Sequence, residues 1–316
     1  MPNILIAGEL HTVGIDFLET LSDYTFDYVK KVSNESFLPY LENADALVLR
    51  TQQFNSENIQ KSKNLKIVSR HGVGFDSVDI QALKKRNIPL TIVGDVNSSS
   101  VSEHTMMLIM AVFKRILVAD QAVRTFNWNY RDKYEPAELF GKNLLIVGYG
   151  RIGQKVAQLA EAFGMNISIY DPYILAKVPK EYKYFSRLEE AFGVSDCISL
   201  NLPKVEKPII SQETAKYLKP GVVIINTARG GLIDLNTLKE GLQSGVIAGA
   251  GLDVFDSEPP DQKMILKDFR QVILTPHQAG LSAESAKRMS LKSVQNIIDF
   301  FNGNLDSNLV VNGVTL

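Results

Sequence analysis

Residues 144–171 read LLIVGYGRIGQKVAQLAEAFGMNISIYD, and this stretch decides the fold class of the chain. The apolar run LLIV leads into a glycine-rich turn, an amphipathic helical pattern follows, and a second apolar run, ISIY, ends at Asp171. Strand, helix and strand in this order form the βαβ unit of a parallel sheet. The stretch therefore predicts an α/β protein.

The glycines of the turn have the spacing G-x-G-x-x-G, which indicates a dinucleotide site. Gly148 permits a tight turn, Gly150 lets the backbone approach a pyrophosphate, and Gly153 lets the helix pack closely on the strand. The helix starts at Arg151 and Ile152, where N–H groups and the positive end of the helix dipole favour phosphate.

Asp171 predicts which dinucleotide binds. It lies 18 residues after Gly153, at the end of the second strand, where a carboxylate accepts hydrogen bonds from ribose hydroxyls. The same carboxylate repels a 2′-phosphate, so we predict NAD as the cofactor. Tyr173 and Lys177 nearby can tolerate a phosphate and leave NADP as the alternative. For the motif alone, an ordinary βα turn is the other interpretation.

Composition limits the remaining possibilities. With 316 residues, of which 45% are hydrophobic and 22% charged, the chain predicts two globular domains. The net charge of −1 gives no basic surface for nucleic acid or membrane. The single cysteine, Cys197, lies in the apolar run CISL and predicts a buried thiol, no disulfide and no metal site. The N-terminus has no signal-peptide pattern, so we expect a cytoplasmic protein.

Short β-branched runs alternate with helical patterns along most of the chain. The predicted strands are 4–7, 46–49, 66–69 and 90–93, and then 144–147, 167–170, 197–200, 222–226, 250–254 and 271–275. Two doubly wound parallel-sheet domains follow from this alternation. The stretch NSSSVSEH at 97–104 offers several cap-type residues, and one long helical pattern follows it to about Arg124. Another helical pattern runs from Ser282 to about Phe301.

The stretch FNWNYRDKYEPAELFG at 126–141 is aromatic, polar and irregular, and we call it the arm. It contains the only tryptophan, Trp128. A subunit contact and a solvated loop explain this composition about equally well.

Three motifs follow predicted strands and carry candidate catalytic groups: NTARGGLID with Arg229, LDVFDSEPP with Glu258, and LTPHQAG with His277. A guanidinium binds a carboxylate bidentately and keeps its charge, so Arg229 suits a 2-keto or 2-hydroxy acid. A carboxylate beside an imidazole favours its protonated form, so Glu258 would make His277 a general acid. The carboxyl ends of parallel strands meet along one crevice, where these groups can converge.

The chain resembles the D-isomer-specific 2-hydroxyacid dehydrogenases, which include phosphoglycerate, D-lactate, hydroxypyruvate/glyoxylate and formate dehydrogenases. The resemblance covers nearly the whole sequence. Its motifs are HGVGFDSVD (71–79), NSSSVSEHT (97–105), VGYGRIG (147–153), NTARGGLID (226–234), LDVFDSEPP (252–260) and TPHQAG (275–280). The sequence departs from the family pattern after the third strand of the cofactor domain, in NLPKVEKPII at 201–210.

The resemblance implies a flavodoxin-like substrate domain over 1–97 and 285–316 and a Rossmann NAD-binding domain over 98–284. It implies that Arg229 binds the substrate, that Glu258 supports His277, and that His277 is the acid/base. Backbone amides of Val73 and Gly74 would receive the substrate carboxylate. A homodimer joined through the cofactor domain is also implied.

The resemblance adds further cofactor contacts, among which Asp253 would bind the nicotinamide carboxamide. The other implied positions are Val101, Pro203, Thr227, Ala228 and Gly280.

Substrate choice depends on fewer residues. Arg50 follows the predicted strand ALVL and matches a position on the phosphate side of the substrate pocket in phosphoglycerate dehydrogenases. It favours a second anionic group on the substrate, and an arginine that caps a strand end is the alternative. His71 is a candidate substrate contact, and His104 a candidate to line the site or a dimer contact.

Two function classes stay open. An NAD-dependent 2-hydroxyacid dehydrogenase leads, acting on a phosphohydroxypyruvate-like acid or on hydroxypyruvate, glyoxylate or another 2-keto acid. A non-enzymatic, NAD-sensing interaction protein, like the corepressors that share this fold, is the rival.

Overall fold

The computed structural model describes residues 1–33, 35–174, 178–261 and 265–316. The chain forms two compact units: unit 1 is Met1–Asn97 with Leu281–Leu316, and unit 2 is Ser98–Gly280. Unit 2 is thus an insertion in the sequence of unit 1. The predicted domain ranges place the second junction after residue 284, and the observed division lies after Gly280.

All strand pairs in the described ranges are parallel. The strands are β1 Asn3–Ala7, β2 Thr25–Val29, β3 Ala46–Leu49, β4 Ile67–Arg70, β5 Leu90–Thr91, β6 Asn143–Val147, β7 Asn166–Tyr170, β8 Lys183–Tyr184, β9 Cys197–Leu200, β10 Val222–Asn226, β11 Ile247–Leu252 and β12 Val272–Leu274.

The α-helices of the described ranges follow most strands. They are α1 Thr12–Glu19, α2 Ser56–Lys61, α3 Ile80–Lys85, α4 Ser98–Phe113, α5 Ile116–Arg124, α6 Arg151–Ala162, α7 Leu188–Phe192, α8 Gln212–Ala215, α9 Leu235–Ser244 and α10 Ala283–Phe301. Short 3₁₀ helices occur at Leu38–Asn43, Trp128–Lys133 and Ser307–Leu309. None of these helices combines the length and apolar character that crossing a bilayer requires.

The strand orders confirm the predicted fold class. Unit 1 has the order β2-β1-β3-β4-β5, which is the flavodoxin-like arrangement. Unit 2 has the order β12-β11-β10-β9-β6-β7-β8. Starting from β6, this is the doubly wound order of dinucleotide-binding sheets with one additional strand at the β12 edge.

Both faces of the unit 1 sheet are covered. Ile4, Ile6 and Val48 point to one side and pack with Val294 and Ile297 of α10, all fully buried. The opposite face contains a second cluster, in which Leu47, Leu49 and Val68 pack with residues of α2 and α3 such as Ile59 and Leu83. The last helix, α10, therefore completes unit 1.

Unit 2 is built in the same way. On one face, Ile146 of β6 packs with Leu108 of α4 and with Val156 of α6. On the other face, Leu145 packs with Leu238 and other residues of α9. Cys197 is fully buried, as predicted, and burial raises the pKa of its thiol.

The prediction of one long helix to about Arg124 was wrong. Helix α4 ends at Phe113, because Arg115 adopts a left-handed conformation with φ 51°. The Lys114 and Arg115 N–H groups close α4 by donating to Met110 O and Val112 O. A second helix, α5, then starts at Ile116.

Several strand limits also differ from the prediction. β4 is shifted by one residue, β12 is shorter by one residue at each end, β5 ends at Thr91, and β11 spans Ile247–Leu252. The sequence missed β2 and β8 because both lie at sheet edges and have few buried side chains.

The close approach of α1 to α10 predicts a sensitive position at Gly14. A Cβ there would overlap the Ser290 hydroxyl, which is held by its bond to His11 O at 2.7 Å, and would lie 2.9 Å from the Ser290 carbonyl oxygen. We expect Gly14→Ala to lower the free energy of unfolding by about 1–3 kcal/mol, although alanine itself favours a helix by about 1 kcal/mol. Urea denaturation measures the change.

Gly193→Ala is the matched control, because a Cβ there meets its nearest atom only at 3.7 Å and the φ of −64° suits any residue. Equal unfolding midpoints for the two variants would contradict the proposed overlap.

Candidate active site

The glycine turn between β6 and α6 has the geometry that a pyrophosphate site requires. Gly148 has φ 91°, and a Cβ there would lie 2.7 Å from Asn201 O. A Cβ on Gly153 would overlap the Gly148 carbonyl oxygen, so helix and strand can approach this closely only with glycine. At Gly150, the N-cap of α6, a Cβ would meet no atom of the described residues within 4 Å. The helix start thus presents open space in front of its N–H groups, which fits a dinucleotide.

Asp171, directly after β7, lies beside this turn. Its Oδ2 accepts from Tyr149 N at 2.9 Å and its Oδ1 from Tyr173 N at 2.9 Å. The carboxylate is therefore fixed next to the glycine turn, where its role toward ribose remains a prediction. Tyr173 is 93% exposed, and Lys177 lies outside the described residues.

Other predicted cofactor positions have varied surroundings in unit 2. Val101 is buried in α4, and Thr227, after β10, shares a hydrogen bond of 2.8 Å with Thr105. Ala228 N donates to Asn226 Oδ1 at 3.0 Å. The remaining predicted positions are partly or fully exposed, or lie at the end of the unit: Arg151 and Ile152 in the first turn of α6, Pro203 after β9, and Gly280.

The three catalytic candidates follow three neighbouring strand ends. The last residues of β10, β11 and β12, which are Asn226, Leu252 and Leu274, are paired in register across the sheet. Arg229, Glu258 and His277 lie on the loops that leave these ends. The fold of unit 2 therefore places all three loops at one edge of one sheet.

Glu258 and His277 form a direct hydrogen bond. His277 Nδ1 donates to Glu258 Oε2 at 2.6 Å, and Glu258 Oε1 accepts from Phe255 N at 3.0 Å. The bond orients the imidazole and leaves Nε2 as its other functional atom. Arg229 NH1 donates to Ala228 O at 2.6 Å, and its loop is closed by Asn226 Nδ2 donating to Arg229 O at 2.8 Å.

The hydrogen bond between His277 and Glu258 shifts the pKa values of the two residues in opposite directions. The bond to Glu258 raises the pKa of His277, against the effects of burial and of Arg229. Burial acts to raise the pKa of Glu258, but the bonds from His277 and Phe255 N outweigh it, so that this pKa is lowered. The charged pair is thus favoured from below neutral pH to above the ordinary pKa of histidine.

Asp253 organises the loop that carries His277. This fully buried carboxylate accepts from Thr275 Oγ1 at 2.5 Å, from Gln278 N at 2.9 Å and from Ala279 N at 2.8 Å. His104 Nε2 lies 3.0 Å from Thr275 Oγ1 and 3.6 Å from Asp253 Oδ1. Burial lowers the pKa of His104, and Asp253 opposes this shift.

Sequence reasoning missed the part of Thr275, which lies between Asp253 and His104. A threonine at a strand end carries no signal of its own, and His104 lies 171 residues away along the chain. The predicted contact of Asp253 with a nicotinamide remains a prediction, since the structure shows the carboxylate holding the His277 loop.

The predicted substrate residues outside unit 2 lie on two loops of unit 1. Arg50, after β3, donates from NH1 to Glu9 O at 2.7 Å. Val73 and Gly74 lie on the loop after β4, where Gly74 O accepts from Arg70 Nε at 2.8 Å. Among the described residues, no group of three or more histidine, cysteine or acidic side chains can hold a metal ion.

The sheet order, the glycine turn and the strand-end residues Arg229, Glu258 and His277 define an α/β protein with a nucleotide-binding unit. A family model described as "D-isomer specific 2-hydroxyacid dehydrogenase, NAD binding domain" matches residues 106–279. The chain belongs to this family, and the matched residues are its NAD-binding domain.

Similar proteins agree with this assignment. The D-3-phosphoglycerate dehydrogenase of Methanocaldococcus jannaschii is 35% identical over 315 residues, which are 98% of this chain and 59% of the relative. The glyoxylate reductase of Aeropyrum pernix is 31% identical over 320 residues, 98% of this chain and 96% of the relative. The chain thus spans little more than half the length of the first relative.

A solved structure extends the comparison. The D-lactate dehydrogenase of Aquifex aeolicus, in complex with NAD and lactic acid, superimposes with a TM-score of 0.88 and 29% identity. The match covers 99% of this chain and all of that one.

The Glu258–His277 bond predicts a pKa change in a matched pair of variants. Glu258→Gln keeps the size of the side chain and removes its charge, so the pKa of His277 should fall toward its ordinary value. An NMR titration of the histidine Cε1–H signals measures this shift. Asp256→Asn, which removes a carboxylate two residues away, is the control and should leave the signal in place. A His277 titration that is the same in both variants would contradict the pairing.

Proposed function

We propose that the protein is an NAD-dependent D-2-hydroxyacid dehydrogenase, which interconverts a 2-keto acid and a D-2-hydroxy acid. The observation that carries the proposal is the 2.6 Å bond between His277 Nδ1 and Glu258 Oε2 at the sheet edge that also carries Arg229. Family membership and the NAD-binding domain support it.

Each group has a part that its chemistry explains. The Arg229 guanidinium binds the substrate carboxylate and polarises the carbonyl. Bound NADH supplies the hydride to the carbonyl carbon. His277 Nε2 delivers the proton to the carbonyl oxygen, because Nδ1 is held by Glu258, and it takes the proton back in the oxidation direction.

The remaining substrate contacts belong to the same proposal. Backbone N–H groups of Val73 and Gly74 bind the substrate carboxylate. Arg50 would bind a second anionic group on the substrate, such as phosphate. The alternative substrate is hydroxypyruvate, glyoxylate or another simple 2-keto acid. Because Arg50 NH1 donates to Glu9 O, which also fits an arginine that joins two strand ends, this bond does not decide in favour of phosphate.

The enzyme proposal is tested with NADH and a panel of 2-keto acids: glyoxylate, pyruvate, hydroxypyruvate and phosphohydroxypyruvate. At least one member should be reduced, and His277→Gln should lower turnover about 10²–10⁴-fold while NADH binding, followed by fluorescence, persists.

His11→Asn is the control variant, since His11 caps α1 and asparagine is a good N-cap. NADH binding without turnover on any acid would contradict the enzyme proposal, and the NAD-sensing interaction protein would be the remaining hypothesis. Normal turnover by His277→Gln would remove this residue from the mechanism.

We further propose a homodimer joined through unit 2. The arm exposes Phe126 (95%), Trp128 (66%) and Tyr134 (85%), and α5 exposes Leu117 (56%). A groove of about 1130 Å³ is lined by α5, the arm and residues 267–272. Apolar exposure of this extent, next to a groove, is typical of a subunit interface.

Leu117→Lys should dissociate this dimer, because it places a charge on the apolar surface of α5. Sedimentation equilibrium measures the mass, and Val32→Lys, an equally drastic change on unit 1 at a side chain that is 47% exposed, is the control. A wild-type monomer would favour a solvated arm.

A further inference from the structure

Gln52 has an unusual environment in unit 1. Its side chain is 2% exposed, and neither Oε1 nor Nε2 has a hydrogen-bond partner among the described residues. The buried atoms His71 Nε2 and Ser77 Oγ likewise have no hydrogen-bond partner within the residues that the structure describes. Buried side-chain polar atoms in native proteins nearly always have partners. Three such residues on neighbouring loops therefore point to a partner that is not among the described residues.

The three residues lie on two segments that run side by side. In the β3–β4 register Leu49 pairs with Arg70, and His71 N donates to Leu49 O at 2.9 Å. Further along, Phe54 N donates to Ser77 O at 2.8 Å in a parallel bridge. Segments 50–54 and 71–78 are thus joined at both ends, with Gln52 on one and His71 and Ser77 on the other.

Neighbouring cations are already engaged with backbone carbonyls. Arg70 donates from Nε to Gly74 O at 2.8 Å and from NH1 to Leu49 O at 3.0 Å, and Arg50 donates to Glu9 O at 2.7 Å. Burial, reinforced by these two guanidinium groups, lowers the pKa of His71 to about 3. The imidazole is therefore neutral at pH 7 and carries one N–H and one lone pair.

We propose that Gln52, His71 and Ser77 form a neutral hydrogen-bonding subsite for a hydroxyl group on carbon 3 of the 2-keto acid. The inference rests on the proposed function through Val73 and Gly74. These residues follow His71 by two and three positions and bind the substrate carboxylate in that proposal. A carboxylate bound there brings the carbon 3 substituent to the same loop.

The donors and acceptors select a hydroxyl. Gln52 Oε1 is only an acceptor, so its partner must donate a hydrogen bond. A hydroxyl group donates one hydrogen bond and accepts others. It can therefore donate to Gln52 Oε1 and accept from Gln52 Nε2 or from the His71 imidazole. A fully ionised phosphate only accepts, and a methyl group does neither. A site that bonds a hydroxyl discriminates against analogues without it, because its own polar groups then stay unpaired.

The test compares Gln52→Leu with Gln53→Leu. Leucine has a similar size and no polar atoms, and Gln53 is the exposed neighbour, so it serves as the matched control. Wild type should prefer hydroxypyruvate to pyruvate in kcat/KM. Gln52→Leu should lower kcat/KM for hydroxypyruvate roughly 10-fold to 100-fold and leave pyruvate almost unchanged. Gln52→Met, which is unbranched, repeats the test if the leucine variant folds poorly.

Three outcomes would overturn the subsite: equal loss on both acids, no loss on hydroxypyruvate, or a wild-type preference for phosphohydroxypyruvate. Absence of turnover on every acid would instead contradict the proposed function. The subsite is then tested by thermal shift, where D-glycerate should raise the Tm more than D-lactate does, and Gln52→Leu should remove that difference. Equal shifts in wild type would overturn it.

Discussion

The hydrogen bonds of the buried Asp253 carboxylate determine how the loop that carries His277 is arranged at the edge of the unit 2 sheet. A charged group without solvent exposure is tolerated only when its oxygens are bonded. Here the partners are a hydroxyl and two backbone N–H groups of the segment 275–279. The need to satisfy Asp253 therefore holds that segment in one conformation, including the left-handed backbone of His277 at φ 50°. The backbone position of His277 follows from this, and its bond to Glu258 then orients the imidazole.

The charge of the His277 imidazole depends on two neighbouring residues that shift its pKa in opposite directions. Glu258 is in direct contact with His277 and dominates its pKa, whereas Arg229 acts at longer range in the opposite direction. Both members of the pair are partly exposed, at 51% and 36%, so solvent weakens the attraction and the pair contributes little to stability. Its consequence is chemical: the ring stays protonated to a higher pH and keeps one tautomer.

The predictable parts of the molecule are those that local pattern encodes. Buried central strands such as β3, β9 and β10 have continuous apolar runs, and the predicted strand limits match the structure there. The strand-end positions of Arg229, Glu258 and His277 follow from the parallel sheet. β2 was missed because it is a half-exposed edge strand, and the break at Arg115 because neither glycine nor proline marks it. Gln52 and Thr275 have no local signature, since their surroundings come from distant segments.

The insertion of unit 2 into the sequence of unit 1 has a consequence for biosynthesis. A ribosome that has made residues up to Gly280 has completed unit 2, whereas unit 1 still lacks α10. Until that helix emerges, Ile4, Ile6, Val48 and Ile67 lack the part of their cover that Val294 and Ile297 provide, and Leu18 of α1 packs in the same cluster without them. Residues 1–97 are thus synthesised before unit 2 but fully covered only after it, and exposed apolar surface on this sheet during the interval favours aggregation.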